Sequence, residues 1–281
     1  MSIDLHCHSH VSDGKFPPSE VVRLAHANGA TMLSLTDHDH IGGLAEAHLA
    51  AQDHGVNLIN GVEISVTWRA RTVHIVGLNF DRHHAGLPEK LAQIRSGRLT
   101  RLQKIAERLA KKAKIDGVYE GALALAENPD TVSRTHIAQF LCQNGHVADK
   151  DEAFKKWLGD GKPACVKHEW ATLAEAVAMI HTAGGVAVIA HPARYRLSAT
   201  AMRALLEEFI ALGGQAIEVA CSVHSLNERL NFALLANRYG LYASRGSDFH
   251  GQGEYGCIIG RPPELPLTCR PVWQLFEHQE H

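Results

Sequence analysis

Side chains that can bind metals recur in short groups along nearly the whole chain, and each group ends or follows an apolar stretch. The nine candidate ligands are His6, His8, Asp13, His38, Glu63, His74, His191, Asp248 and His250. A fold that brings strand ends together could gather all nine into one polynuclear metal site. Such a site is suited to the hydrolysis of phosphate esters.

The types and spacing of these residues indicate which metals they would bind. Residues i and i+2 of a strand share a face, so His6 and His8 can bind one ion while Cys7 points the other way. Imidazole and carboxylate ligands without thiolate suit Mn²⁺, Fe²⁺ or Zn²⁺ better than a structural zinc site. Glu63 and Asp248 could each bridge two ions. A strand with two satisfied histidines is the structural alternative for each short motif, but the joint occurrence of the motifs favours a metal site.

The composition limits the class of protein. The chain has 281 residues, which suits one large α/β domain or a domain with a smaller insert. Its 28 basic and 30 acidic residues give no net field to attract nucleic acid or a membrane, so any anion binding must be local. The six cysteines are widely spaced without a C-x-x-C pair, and the N-terminus has neither a basic region nor a long apolar segment. We therefore expect a cytoplasmic enzyme with reduced thiols, no membrane span and no obligate protein partner.

Short β-type runs alternate with helical stretches, which favours a mainly parallel sheet or barrel. We predict strands at 3–5, 32–36, 56–59, 72–78, 184–190, 216–219 and 241–244, and helices at 20–28 and 43–52. Glu63 is expected just beyond the third strand, and His74 on one face of the fourth. The other ligand groups follow strands, and the carboxyl edge of the strands carries the active site in α/β barrels.

The pattern changes to a helical one between residues 98 and 164. Leu99, Leu102, Ile105 and Leu109 recur at helical spacing among basic residues, and further helices are predicted at 122–126, 135–144 and 150–158. We predict a barrel formed by residues 1–97 and 165–281, with 98–164 as a small all-helical insert domain. Its position between the strands that carry His74 and His191 would let it form a lid over the mouth of the barrel.

The insert also supplies candidates for substrate binding. Ser133 and Arg134 open a predicted helix, where exposed N–H groups and an Arg fork favour a phosphate, and His136 lies in the same turn. Arg98 and Arg101 lie one turn apart on the preceding basic helix and could reach the same anion.

Three further candidates lie beyond the insert. Arg194 follows His191 and could face the mouth. His224 could also face it, although an ordinary loop histidine fits that position equally well. Glu218 ends a strand as the ligands do, and pairing with a nearby base is the alternative for it.

Two aspartates flank a candidate ligand and suggest a supporting role. A metal-bound imidazole usually donates its other N–H to a carboxylate, so we expect Asp37 and Asp39 to support the metal-binding histidines around His38. The alternative for Asp39 is a cap on the helix that begins near Ile41.

Taken in order, the motifs resemble the polymerase and histidinol phosphatase (PHP) superfamily over essentially the whole chain. They are H-x-H at 6–8, S-D-G at 12–14, T-D-H-D at 36–39, G-V-E at 61–63, V-H-I-V-G at 73–77, A-H-P at 190–192 and S-D-F-H at 247–250. Within it, the chain is most similar to the bacterial 3′,5′-nucleoside bisphosphate phosphatases, some of which are also described as 5′ to 3′ exoribonucleases. The resemblance implies a distorted (β/α)7 barrel, the PHP fold, with a trinuclear site that usually holds manganese in this branch.

The resemblance also implies how the ligands are shared among three metals. The first metal would be held by His6, His8, Glu63 and Asp248, the second by Asp13, His38 and His250, and the third by Glu63, His74 and His191. Some relatives have histidine in place of Asp13, which could alter the metal preference.

The function implied is removal of the 3′-phosphate from a nucleoside 3′,5′-bisphosphate through metal-activated hydroxide, giving 5′-nucleotide and phosphate. His38 and Asp248 would act at the metals, and a protonated His136 or His224 could assist departure of the ribose hydroxyl. Three alternatives remain open: a 5′ to 3′ exoribonuclease acting on short 5′-phosphorylated RNA, a histidinol-phosphate phosphatase, and a non-enzymatic metal-stabilised binding module.

Overall fold

The computed structural model describes residues 2–126, 128–253 and 256–276. Seven strands follow one another across a single sheet: β1 (Ser2–Cys7), β2 (Ala30–Leu35), β3 (Asn57–Trp68), β4 (Arg71–Leu78), β5 (Val186–Ile189), β6 (Ala216–Cys221) and β7 (Tyr242–Gly246). The two edges meet just after β1 and β7, where Cys7 pairs with Phe249 and the backbone N–H of His8 donates to the Phe249 carbonyl at 2.9 Å. The sheet thereby curls into a barrel, which confirms the predicted α/β barrel fold.

One strand runs against the others and distorts the barrel. β4 pairs antiparallel with both β3 and β5, whereas the remaining pairs are parallel. β3 and β4 form a hairpin around Arg69 and Ala70, whose φ angles of 46° and 62° are those of a tight two-residue turn. Because β4 is reversed, its first half lies beside the carboxyl ends of its neighbours, so His74 reaches the same mouth as the other candidates.

The third strand is much longer than the sequence predicted. β3 continues past residue 59 to Trp68, because Val62, Ile64 and Val66 alternate along it and are fully buried against the outer core. The expectation that Glu63 lies beyond this strand is therefore wrong. Glu63 is a buried residue inside β3, on the face opposite to these three apolar side chains.

Ten α-helices are present among the described residues. They are α1 (Pro18–Ala27), α2 (Leu44–His54), α3 (Leu87–Arg95), α4 (Arg98–Ala113), α5 (Val118–Leu125), α6 (Arg134–Gln143), α7 (Lys150–Ala153), α8 (Leu173–Thr182), α9 (Ala199–Ala211) and α10 (Leu226–Tyr239). Within the described ranges, none of them has the length and apolar character needed to cross a membrane. The outer helices bury their apolar faces against the barrel strands, as Val21 of α1 and Phe209 of α9 do.

Helices α4 to α7 and the π-helical turn Phe154–Leu158 occupy the segment between α3 and α8. Their apolar residues form a cluster separate from those of the barrel, which includes Leu102, Ile105 and Leu109 of α4 and Ile137 and Leu141 of α6. A segment with its own core suits a distinct unit. The division into an insert domain at 98–164 and a barrel of 1–97 and 165–281 remains a prediction.

The barrel interior is apolar below the mouth. Ile3, Leu5, Val76 and Val188 pack there, and the segment after β7 contributes Val272, which is fully buried. Because this end of the barrel is filled by hydrocarbon, the polar candidates are confined to the opposite end.

Candidate metal centre

All nine candidate ligands meet at the mouth of the barrel. Their ligand atoms form four overlapping groups, and the atoms of each group lie within 4.8 Å of one another. These groups are His8, Asp13, His38 and His250; His6, His8 and Asp248; His6, Glu63 and His191; and His38, Glu63 and His74. The fold therefore brings together residues that lie as far apart in the chain as His6 and His250.

Four of these residues, His6, His8, Glu63 and Asp248, have the spacing of ligands around one ion. The Nε2 atoms of His6 and His8 are 3.2 Å apart. Oε2 of Glu63 lies 3.5 and 3.4 Å from these two nitrogens, and Oδ1 of Asp248 lies 3.7 and 3.4 Å from them. Ligands at about 2.1 Å from a tetrahedral ion stand about 3.4 Å from one another, so one metal would fit among these four atoms.

Two further sets of ligand atoms lie beside this one, and Glu63 also belongs to one of them. Oδ1 of Asp13 lies 3.3 Å from Nε2 of His250 and 3.8 Å from Nε2 of His38. The second carboxylate oxygen of Glu63, Oε1, lies 2.8 Å from a ring nitrogen of both His74 and His191. Glu63 thus presents Oε2 to His6 and His8 and Oε1 to His74 and His191, which is the arrangement of a bridging carboxylate.

Two of these ligand atoms are buried without hydrogen bonds. Among the described residues, Oδ1 of Asp13 and Oε2 of Glu63 have no hydrogen-bond partner although each atom is inaccessible to solvent. Buried polar atoms are almost always satisfied, and a divalent cation is the ligand that would satisfy a converging set of imidazole and carboxylate atoms. The residues present therefore fit a metal centre.

The electrostatics of the cluster keep the carboxylates ionised. Burial opposes ionisation of Glu63, but the neighbouring His38, His74 and His6 hold the pKa of this carboxyl well below its usual range. Burial lowers the pKa of His38, and Glu63 and Asp13 outweigh it and raise that pKa to about 9. Without a metal, protons on such histidines offset the carboxylate charge, and a metal ion would replace these protons.

Three positions at the mouth have backbone conformations that side-chain-bearing residues rarely adopt. The φ angles of Asp39, His191 and Asp248 are 51°, 22° and 54°. Such conformations persist only where surrounding contacts impose them, and they cluster at functional sites. Here the N–H of Asp248 donates to the His6 carbonyl at 2.8 Å, and the N–H of Asp39 donates to the Glu63 carbonyl at 2.8 Å.

Glu218 lies inside β6 and not at a strand end as expected, and it supports two candidate ligands at once. Its Oε1 lies 2.8 Å from Nδ1 of His6, and its Oε2 accepts the backbone N–H of His191. This contact fixes the His6 ring with Nε2 toward the cluster. The alternative prediction, that Glu218 pairs with a nearby basic residue, therefore agrees with the structure. That residue is His6, a candidate metal ligand.

Asp37 and Asp39 do not support imidazoles, so this expectation is wrong. Asp37 accepts hydrogen bonds from the backbone and side chain of Ser9 and from the hydroxyl of Ser12, and it thereby shapes the loop that carries Asp13. Asp39 accepts from the backbone N–H and hydroxyl of Ser65. Within the described part of the chain, neither side chain contacts the His38 ring, because both point toward neighbouring loops from the end of β2.

Tyr195 is a second supporting residue that the sequence did not reveal. Its hydroxyl accepts the backbone N–H of His74 at 2.9 Å and lies 2.7 Å from the Ala190 carbonyl, to which it can donate. Tyr195 therefore ties β4 to the end of β5, the two places that carry His74 and His191.

Three arginines meet in a small pocket next to the candidate metal ligands. Arg98, Arg101 and Arg134 line it together with Ser133 and Trp170. Arg101 donates Nε to the Val166 carbonyl at 3.1 Å, and Arg134 donates to the Leu158 carbonyl at 3.1 Å. Burial and the neighbouring Arg134 and Arg98 lower the pKa of Arg101 to about 9, since cations crowded in a buried pocket disfavour one another. An anion would relieve this repulsion.

Arg98 is less available to an anion than the sequence predicted. Its guanidinium forms a buried ion pair with Asp39, and NH1 lies 3.5 Å from the Val132 carbonyl. Only its Nε lacks a partner within the described part of the chain. Arg98 therefore mainly joins α4 to the loop after β2.

Ser133 connects the arginine pocket to the metal candidates. It caps α6 by accepting the N–H of Thr135 at 3.1 Å, as the predicted helix start required. Its hydroxyl also donates to Oδ2 of Asp13 at 3.3 Å. One side chain thus contacts a metal-ligand candidate and lines the arginine pocket.

The two histidines considered as proton donors are both in environments that favour the neutral form. Nδ1 of His136 accepts the backbone N–H of Ser133 at 3.0 Å, and burial lowers the pKa of His136. Nδ1 of His224 lies 3.1 Å from the Val219 carbonyl, and burial lowers its pKa as well. The structure therefore argues against a protonated general acid at either position, because each charge would be desolvated.

Arg194 does reach the mouth. One of its terminal nitrogens lies 2.7 Å from Oδ2 of Asp248, and the side chain is 36% exposed. A cation that touches a ligand candidate and also faces solvent can contact a substrate phosphate.

Comparisons with known proteins identify the family. The PHP domain family matches residues 4–221. The chain is 49% identical over 276 residues to a 3′,5′-nucleoside bisphosphate phosphatase from Chromobacterium violaceum, covering 98% of this chain and 96% of the relative. It is 42% identical over 280 residues to the 5′-3′ exoribonuclease Rnm of Escherichia coli, covering 99% and 94%. A solved structure of an amidohydrolase from Chromobacterium violaceum, with bound sulfate and no metal, has a TM-score of 0.95 and 48% identity, covering 99% and 96%. The chain therefore belongs to the PHP domain family.

Proposed function

We propose that this protein is a metal-dependent phosphomonoesterase that removes the 3′-phosphate from nucleoside 3′,5′-bisphosphates. The single observation that carries the proposal is the pairing of two anion sites. The pocket of Arg101 and Arg134 opens beside the metal candidates, and Ser133 contacts both. A nucleotide with a phosphate on each side of its ribose has the charges that such a pair of sites would bind.

The metal centre of this proposal holds three ions, with Mn²⁺ preferred and Fe²⁺ or Zn²⁺ as alternatives. The ligands would be divided as His6, His8, Glu63 and Asp248; Asp13, His38 and His250; and Glu63, His74 and His191. When bound, the metals would acidify water and offset the charge on the phosphate under attack.

The residues of the chain have separate tasks in this reaction. Arg101 and Arg134 would hold the 5′-phosphate, which stays on the product. Arg194, beside Asp248, would orient the 3′-phosphate toward the ligand cluster. With the 5′-phosphate fixed, the 3′-phosphate is confined to the mouth, and this loss of freedom before the reaction lowers the barrier.

The named relatives support this proposal. The relative from Chromobacterium violaceum named as a 3′,5′-nucleoside bisphosphate phosphatase aligns with nearly the entire chain at 49% identity. The second candidate function is 5′ to 3′ exoribonuclease activity on short 5′-phosphorylated RNA, which the relationship to Rnm favours. It would use the same arginine pocket for the terminal phosphate, so one enzyme could have both activities.

The test compares phosphate release from nucleoside 3′,5′-bisphosphate, nucleoside 3′-monophosphate and histidinol phosphate. We expect the wild-type protein to prefer the bisphosphate. Arg134→Ala should lose this preference while its metal content is unchanged, and Asp248→Ala should lose metal. Lys111→Ala on the outer surface of α4 is the control and should match the wild type. Equal wild-type rates on the bisphosphate and the 3′-monophosphate would exclude the proposed role of the arginine pocket.

A further inference from the structure

Trp170 holds a fixed position between the barrel and the arginine pocket. Its backbone N–H donates to the Thr67 hydroxyl at 2.8 Å, and the N–H of Thr67 donates to the Ala171 carbonyl at 2.9 Å. Trp170 is 9% exposed and lines the pocket. The end of β3 therefore sets the position of this residue, although Arg98 and Arg101 come from α4 and Arg134 from α6.

The indole supports two of the three arginines. The guanidinium carbons of Arg98 and Arg101 lie 4.8 and 5.3 Å from the centre of the Trp170 ring. Both distances are within the range of cation–π attraction. One aromatic surface thus stabilises two neighbouring cations that would otherwise repel each other, and it fixes their separation.

Two residues that line the pocket carry buried donors that the protein leaves unused. Within the described ranges, the indole N–H of Trp170 and the Nε–H of Arg98 have no hydrogen-bond partner. A buried N–H without a partner is rare and costly, and it is best explained by a ligand that accepts from it. A phosphate has enough oxygen acceptors for both donors and for the terminal nitrogens of Arg101.

We propose that Trp170 determines specificity for the 5′-phosphate by holding Arg98 and Arg101 in place and by donating its indole N–H to the bound phosphate. This proposal rests on the proposed function of the same site. The indole N–H is a neutral hydrogen-bond donor to the phosphate. This contact distinguishes Trp170 from an aromatic residue with a purely structural role.

The test separates the N–H from the aromatic surface. Trp170→Phe keeps a ring beneath the arginines and removes the donor. Trp157→Phe is the matched control, because the indole N–H of Trp157 is also buried without a partner among the described residues, but Trp157 does not line the pocket. The measurements are the Kd of adenosine 5′-monophosphate, the metal content, and kcat and KM on adenosine 3′,5′-bisphosphate and on adenosine 3′-monophosphate.

We expect Trp170→Phe to raise the Kd of adenosine 5′-monophosphate and the KM of the bisphosphate about tenfold, the value of one hydrogen bond to a charged group. Its activity on the 3′-monophosphate and its metal content should remain those of the wild type, as should all values for Trp157→Phe. An unchanged Kd for adenosine 5′-monophosphate, or an equal loss on both substrates, would overturn the proposal.

A second measurement does not depend on the folding of the variant. In wild-type protein with ¹⁵N-labelled tryptophan, the indole N–H resonance of Trp170 is identified by elimination, because Trp157→Phe and the other single replacements each remove their own resonance. The resonance of Trp170 should move downfield as adenosine 5′-monophosphate is added. An unmoved resonance at saturation overturns the proposal. If instead the wild type does not prefer the bisphosphate while the resonance moves, the proposed substrate is wrong and the role of Trp170 in binding 5′-phosphate stands.

Discussion

Replacing Glu218 by Gln changes one charge and almost no volume at the centre of the metal candidates. Glu218 uses one oxygen for the ring of His6 and the other for the backbone N–H of His191. A glutamine has a single acceptor oxygen, so it can keep only one of these two contacts, and its amide N–H would face a donor at the other.

The magnitude follows from these contacts. A hydrogen bond to a charged group contributes about 1.5–3 kcal/mol, and about 1.4 kcal/mol corresponds to a tenfold change in affinity. Since both contacts orient candidate ligands of the proposed metals, the loss of one should weaken metal binding about tenfold to a hundredfold, the range usual for residues that support metal ligands. The remaining carboxylates should still bind some metal.

The assay is metal content after purification, followed by titration of the stripped protein in a chelator-buffered Mn²⁺ series. Glu175→Gln is the control, because Glu175 is an exposed residue in the N-terminal cap of α8 and is not one of the candidate ligands or their supporting residues. If Glu218→Gln binds Mn²⁺ as tightly as Glu175→Gln does, the contact of Glu218 with His6 does not position a ligand. A loss of folding in both variants would be visible as a lower unfolding temperature and is not expected.

Three further outcomes are expected. Metal binding should strengthen as pH rises toward 9, because the pKa of His38 is raised to about 9 in the metal-free site and the imidazole must lose its proton to bind. The measurement is Mn²⁺ titration at several pH values, with proton release followed in parallel. An affinity that does not change with pH would contradict this prediction. Arg98→Met and Asp39→Asn should each cost about 3–5 kcal/mol of unfolding free energy, with the double variant costing less than their sum, and additive losses in urea unfolding would contradict a buried ion pair. Tyr195→Phe should reduce stability by about 1–3 kcal/mol and lower metal occupancy, and full occupancy in metal analysis would show that its hydroxyl does not position His74.

The candidate ligands could be predicted from sequence because each group is local. His6 and His8 alternate on one strand, and His38, His191 and Asp248 each lie just beyond a strand, so periodicity indicates both the residue and its location. The length of β3 was missed because the polar Glu63 interrupts its apolar run. A buried carboxylate inside a strand reads as a strand end unless its ligand role is already known.

The supporting contacts could not be predicted because they join distant parts of the chain. Glu218 and His6 are 212 residues apart, and Tyr195 and His74 are 121 residues apart. Sequence proximity suggested Asp37 instead, but its side chain leaves the strand end toward Ser9, 28 residues away. Which carboxylate supports a histidine depends on the packing of strands against one another, and a single sequence carries no signal of it.

The reversal of β4 explains why the arginine pocket lies at the metal candidates. In a barrel with only parallel strands, the helix after each strand leads away from the mouth. β4 runs away from the mouth, so α3 must return toward it, and Arg95 at the end of α3 contacts the Asp39 carbonyl there. The chain then enters α4 at the mouth and comes back to it where Ala171 pairs with Val66 near the end of β3. A tight turn at Arg69 and Ala70 therefore reverses one strand, and that reversal lets a helical segment begin and end beside the site whose substrates we propose it selects.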